Sequence, residues 1–123
     1  MSLTIEQLAH LADEALDRAY NYGRSTPGKN FGWLANMESA RAAKAAIEGG
    51  ATKIDEIADA VHSGWNQTAV ADYRGELELD TPTTPERKAK RYALSQLPYD
   101  HLPEEEKEKD RVVARTILIA LKD

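Results

Sequence analysis

The chain of 123 residues reads as an all-α protein, a single domain of about four principal helices with a long, turn-rich connection before the last one. Three observations carry this expectation. Apolar residues recur at helical spacing in four separated stretches; capping residues open two of these; and glycine pairs or proline-bearing runs separate them. Only a short alternation at Glu76–Leu79 has the period of a strand.

The first helix is expected over residues 5–21. Thr4 followed by Gln7 is a capping box, in which each side chain answers the other residue's free amide. Ile5, Leu8, Leu11 or Ala12, Ala15 or Leu16, and Ala19 then mark one face, and Gly23 stops the helix. The run "RSTPGKN" is loop by composition. A second helix is expected over 33–48, alanine-rich enough for close approach of a neighbour and ended by Gly49 and Gly50.

Thr52 is expected to cap a third helix over 53–66, with Asp55 in its first turn and Ile54, Ile57 or Ala58, Val61 and Trp65 as its apolar stripe. From Ala69 to Leu97 the pattern weakens, and a long connection is expected with no more than a helical turn or two after Thr84 and Pro85. Pro103 suits the first position of the last helix, where Glu104, Glu105 and Glu106 lie on the positive end of the dipole. Glu104 with Lys107, Glu105 with Lys109, and Glu108 with Arg111 have the spacing of ion pairs on an exposed face.

Val113, Ala114, Ile117, Leu118 and Leu121 form the core stripe of this last helix. Val112 and Ile119 are apolar on another side, a width that suggests several partners or a subunit interface. One turn before the stripe stands Asp110, a carboxylate at the edge of the core that needs a cation or amide donor. By this reading residues 1–50 hold an N-terminal helical pair and residues 51–123 the rest of the compact core.

Composition narrows the function classes. Sixteen basic against twenty-one acidic residues give a formal charge of −5, which argues against the phosphate-tracking surface that nucleic-acid binding requires. The chain has no cysteine, hence no disulfide framework or thiolate chemistry. No leader-like segment or membrane-length apolar run is read, so a cytoplasmic protein with no membrane partner is expected.

Candidate chemistry is sparse. "GRSTPGKN" at 23–30 nearly matches a phosphate-cradling loop, but Asn30 replaces the hydroxyl residue and an amphipathic helix precedes it where a buried strand belongs. It is read as a plain connection. His10 shares the polar side of the first helix with Glu6, Asp13 or Glu14, and Asp17, the pattern of an ordinary acidic surface, and His101 lies in a proline-framed turn. His62 borders the stripe of the third helix, the usual position of a hydrogen-bonded, partly buried imidazole, with ligand contact as the functional alternative. Neighbouring Ser63 points about 100° away and makes no pair with it. No catalytic residue, metal site or cofactor is expected.

Two stretches invite a comparison. "IADAVHSGW" at 57–65 and "LPYDHLPEEEKEKDRVVARTIL" at 97–118 resemble the ryanodine-receptor repeat domain, also found in stand-alone bacterial and phage proteins. His62 and Trp65 fall on its first motif; Pro98, Tyr99, Leu102, Pro103, Glu104, Glu106, Lys107, Asp110 and Arg111 fall on its second, and the likeness spans about residues 54–121. The resemblance implies a helical frame without catalysis, in which a rigid turn packs Tyr99 and Leu102 on Trp65 and Asp110 finds an internal partner.

The first functional expectation is accordingly a non-catalytic module for protein interaction or assembly, with Val112 and Ile119 as candidate interface residues. The alternative is a sensor of a small nucleotide-like ligand held near His62, Trp65, Tyr73, Tyr99 and Arg111, where aromatic faces and a fixed cation suit a planar anionic group. An enzyme is the weakest reading. The "TPTTP" run at 81–85 is an exposed turn that also offers Thr81, Thr83 and Thr84 to modification.

Overall fold

A computed structural model of the chain describes residues 3–122. Its elements are α1 (Ile5–Tyr20), α2 (Phe31–Glu48), α3 (Ile54–Tyr73), α4 (Pro85–Ser95), a single 3₁₀ turn (Tyr99–His101) and α5 (Glu104–Lys122). The protein is all-helical among the described residues, as expected from its periodicity.

Local chemistry sets the helix ends. The Gln7 amide donates to Thr4 Oγ1 at 3.1 Å and the Thr4 amide to Gln7 Oε1 at 2.9 Å, the reciprocal capping box. α1 closes on Asn21 in the left-handed conformation, φ 57°. α2 opens two residues earlier than its apolar pattern indicates, because the Asn30 side chain accepts from the Trp33 amide at 2.8 Å. The near-match phosphate loop therefore ends in a helix cap, and its Lys29 is spent on Glu78 at 2.9 Å.

Four expectations are corrected. Thr52 does not cap α3; Lys53 occupies that position, its amide reaching the Glu56 carboxylate at 3.4 Å. α3 runs seven residues past 66, because small or polar residues, Thr68, Ala69 and Asp72, continue its buried face where large apolar ones were sought. The stretch read as a connection contains α4, capped by the Thr84 hydroxyl, which accepts from the Arg87 amide. Pro103 sits at the cap rather than inside α5, since its carbonyl accepts the first helical bonds from Glu106 and Lys107.

α2 and α3 make the most extensive contact of the fold. It is close because α2 is alanine-rich and α3 carries Gly64 at the crossing. A Cβ at Gly64 would overlap the Glu38 carbonyl oxygen and stand 2.8 Å from its carbonyl carbon. One hydrophobic cluster unites α1, α2, α3, the 3₁₀ turn and α5, with Leu8, Ile57, Val61 and Ile117 fully buried. Residues 3–50 and 51–122 thus share a single core. α4 joins it only at its edge, packing on α3, setting the partly buried Leu94 against the cluster and fully burying only Ser95.

Candidate functional site

A cleft of about 670 Å³ opens where α4 lies beside the core, and all five helices contribute to its lining. Its wall is aromatic. Phe31 meets Trp65 edge-on, centroids 6.1 Å apart, and the His62 ring lies nearly parallel to Trp65 at 6.4 Å. The Arg91 guanidinium covers the Phe31 ring at 3.8 Å.

The floor is polar and largely closed off from water. His62 Nε2 is 2.9 Å from the Leu97 carbonyl oxygen, which can only accept, so this nitrogen carries the hydrogen. The other ring nitrogen, Nδ1, faces Asp110 Oδ2 at 3.7 Å, longer than a hydrogen bond. The two side chains are only 5% and 15% exposed. Burial pushes the Asp110 carboxyl up to about 8, helped by Glu106 and Asp59 and opposed by Lys109. Asp110 is therefore a carboxylic acid near neutral pH, with no hydrogen-bond partner for its side chain among the described residues. Asp13, also in the lining, is satisfied: it accepts from Arg24 Nε at 2.9 Å, the Ser25 amide and Asn36 Nδ2.

The rim is basic. Arg87, Lys90, Arg91 and Leu94 follow one another at i, i+3, i+4, i+7 and form the stripe of α4 that faces the cleft; Lys109 of α5, nearby, is paired with Glu106 at 3.2 Å and not, as its spacing suggested, with Glu105. Arg87 and Lys90 are exposed and have no ion-pair partner among the described residues. Arg91 Nη1 stands 3.9 Å from Asp72 Oδ2, a buried oxygen with no hydrogen-bond partner. This concentration of positive charge in a chain of net charge −5 is opposite in sign to the protein as a whole.

The structure divides the sequence-derived site residues. His62, Trp65 and Leu102 line the cleft together with Glu106 and Asp110. Tyr73 does not; it stacks on Tyr92 at 4.0 Å and is half exposed. Tyr99 and Arg111 belong to the other end of α3. There the Tyr99 hydroxyl donates to Asp55 Oδ1 at 2.7 Å, and Arg111 donates to Asp55 and to Glu104, both at 2.9 Å. Ten residues separate Asp55 from Trp65, about 15 Å along a helix, so the expected packing of Tyr99 on Trp65 is replaced by this anchor.

Pro98 and Pro103 flank the turn that places Tyr99, and Lys107 extends over the Tyr99 ring at 5.8 Å. Val112 is half-buried and Ile119 is 62% exposed. His10 packs on Trp33, ring centroids 4.7 Å apart. Sequence reasoning missed the cations of α4 because the helix itself was read as a connection; Thr84 and Pro85 followed by charges at i, i+3, i+4 were the available signal.

No family model, curated protein or solved structure matches the chain. No helix among the described residues is long and apolar enough to cross a membrane.

Proposed function

We propose that the protein is a non-catalytic helical module that senses a small, planar, anionic ligand of nucleotide-like chemistry in the cleft beside α4. The observation that carries this reading is the cleft itself: about 670 Å³, walled by Trp65 and Phe31 and rimmed by Arg87 and Lys90, two exposed cations without ion-pair partners among the described residues, in an acidic chain. Aromatic faces suit a ring, and Arg87 and Lys90 suit its negative groups. The likeness to ryanodine-receptor repeat domains is kept as part of the proposal, since both motif stretches contribute to one place, through His62 and Trp65 on α3 and Asp110 on α5.

A thermal-shift screen of nucleotides and related metabolites tests the proposal on the wild type and on the Arg87→Glu/Lys90→Glu double variant. Stabilisation of the wild type by a phosphate-bearing compound, lost in the variant, is the expected result. A flat response across the panel contradicts it.

A second reading, the assembly module expected first from sequence, is favoured by one observation: Ile119 is an exposed large aliphatic residue seven positions after Val112 on α5. Light scattering decides it. Self-association that disappears in Ile119→Lys supports the reading, and a monomer at all concentrations removes it.

A further inference from the structure

Three groups in the cleft await a partner: the Asp110 carboxyl, Nδ1 of His62 and the unpaired cations of α4. Asp110 and His62 cannot satisfy each other at 3.7 Å, yet both are mostly buried and both line the cleft. The geometry fixes what each can offer. His62 donates from Nε2 to the Leu97 carbonyl, so Nδ1 presents a lone pair. A neutral Asp110 presents an O–H. The two atoms together make one donor and one acceptor side by side.

We propose that Asp110 and His62 form a one-proton recognition pair that reads an adjacent acceptor and donor on a nucleobase edge, while Arg87 and Lys90 hold the ligand's phosphates. This rests on the ligand-binding function proposed above and adds which residues read the ring and that binding depends on a proton. The pair is net neutral with the proton on Asp110 and carries one negative charge without it. Loss of the proton removes the donor and places a negative charge in the site that receives an anion, so binding weakens as pH rises through the Asp110 transition at about 8.

The groups around Asp110 enter the same balance. Glu106 and Lys109 flank it on α5, Asp59 and His62 face it from α3, and Asp13 stands on α1. Arg87, Lys90 and Arg91 face the cleft from α4, and α2 contributes the uncharged Asn36 and Ser39. Asp110→Asn retains a donor at that position and cannot titrate, so any pH dependence due to the other groups survives in it.

The test is calorimetric titration of the intact protein with adenosine triphosphate and with tripolyphosphate, at pH 7 and pH 9, for wild type and Asp110→Asn. Wild-type affinity for adenosine triphosphate is expected to fall about tenfold between the two pH values, as the protonated fraction does for a group titrating near 8. Asp110→Asn is expected to hold its pH 7 affinity across the range. Adenosine triphosphate is expected to bind at least tenfold more tightly than tripolyphosphate in the wild type.

At pH 8, titration of the wild type in two buffers of different ionisation enthalpy is expected to show uptake of about half a proton, a readout independent of any variant. Equal pH dependence in wild type and Asp110→Asn, or no proton uptake, overturns the recognition pair and leaves the ligand-binding function standing. Failure of both probes to bind the wild type at pH 7 overturns the ligand-binding function and the pair with it.

Discussion

The α3–α5 contact has two ends that use polar residues in opposite ways. At the N-terminal ends of the two helices, Tyr99, Asp55, Arg111 and Glu104 are joined by hydrogen bonds of 2.7–2.9 Å, and each donor has found an acceptor. About 10 Å along α3, and one residue earlier on α5, His62 and Asp110 face each other at 3.7 Å beside the cleft that α4 borders. One end is an anchor whose polar groups are used up in holding the fold. The other keeps two mostly buried polar groups that do not hydrogen-bond each other and that face the cleft.

Acidity separates the two ends with opposite signs. The Arg111 guanidinium and then the Tyr99 hydroxyl hold Asp55 below its usual value, so the anchor contributes stability above the unfolded aspartate value and loses it as pH falls through the lower folded value. Asp110 is raised. Its unfolded form ionises near 3.8 and its folded form near 8, so the folded state binds more protons between these values and stability falls as pH rises across that window.

The largest effect belongs to the anchor. Tyr99 is 5% exposed within the core cluster, and Tyr99→Ala is expected to cost about 3–5 kcal/mol in urea denaturation, as for other large buried aromatics. Equal loss of stability from Trp65→Ala would erase the distinction between anchor and cleft, because Trp65 is only half-buried.

Next comes Asp110→Asn. It is expected to raise stability at pH 8 by a few kcal/mol relative to wild type, and by much less at pH 5, since each unit of separation from the unfolded value is worth about 1.4 kcal/mol. Denaturation curves at the two pH values check this, and a gain that is the same at both would contradict a buried acid.

A smaller change follows from Tyr99→Phe, which keeps the ring and removes the hydroxyl bound to Asp55. A loss of about 1 kcal/mol is expected, with ligand response unaltered. The smallest stability effect is that of Lys90→Glu, within about 0.5 kcal/mol, because the side chain is exposed and unpaired. Its effect on the thermal shift from a phosphate-bearing compound is expected to be large. A variant that loses stability but keeps the shift would reverse the assignment.

How far the sequence foretold this depends on what kind of contact holds each element. α1, α2 and α5 were legible because they declare themselves locally, through the Thr4–Gln7 capping box, the alanine run before Gly49 and the stripe from Val113 to Leu121. α4 was not, because it has no aliphatic stripe. It is held to its neighbours by Arg91 on Phe31, Tyr92 on Tyr73 and the single Leu94 against the core, contacts that leave no 3.6-residue apolar period to read.

The site was legible in part for the same reason. Asp110 and His62 could be singled out as polar residues bordering apolar stripes, and the structure brings them face to face. The partner of Tyr99 depends on how α3 and α5 cross, a non-local quantity, and sequence reasoning placed it on Trp65 instead of near Asp55. The cations of the rim were invisible once α4 had been read as a connection.

The difference between the two ends is tested most directly by a carboxyl-carbon NMR titration of the aspartates in the free protein. Asp110 is predicted to titrate near pH 8 and Asp55 below its usual range. An Asp110 resonance that moves near pH 4 would contradict the account, since the cleft would then hold an ordinary carboxylate in place of a poised proton donor.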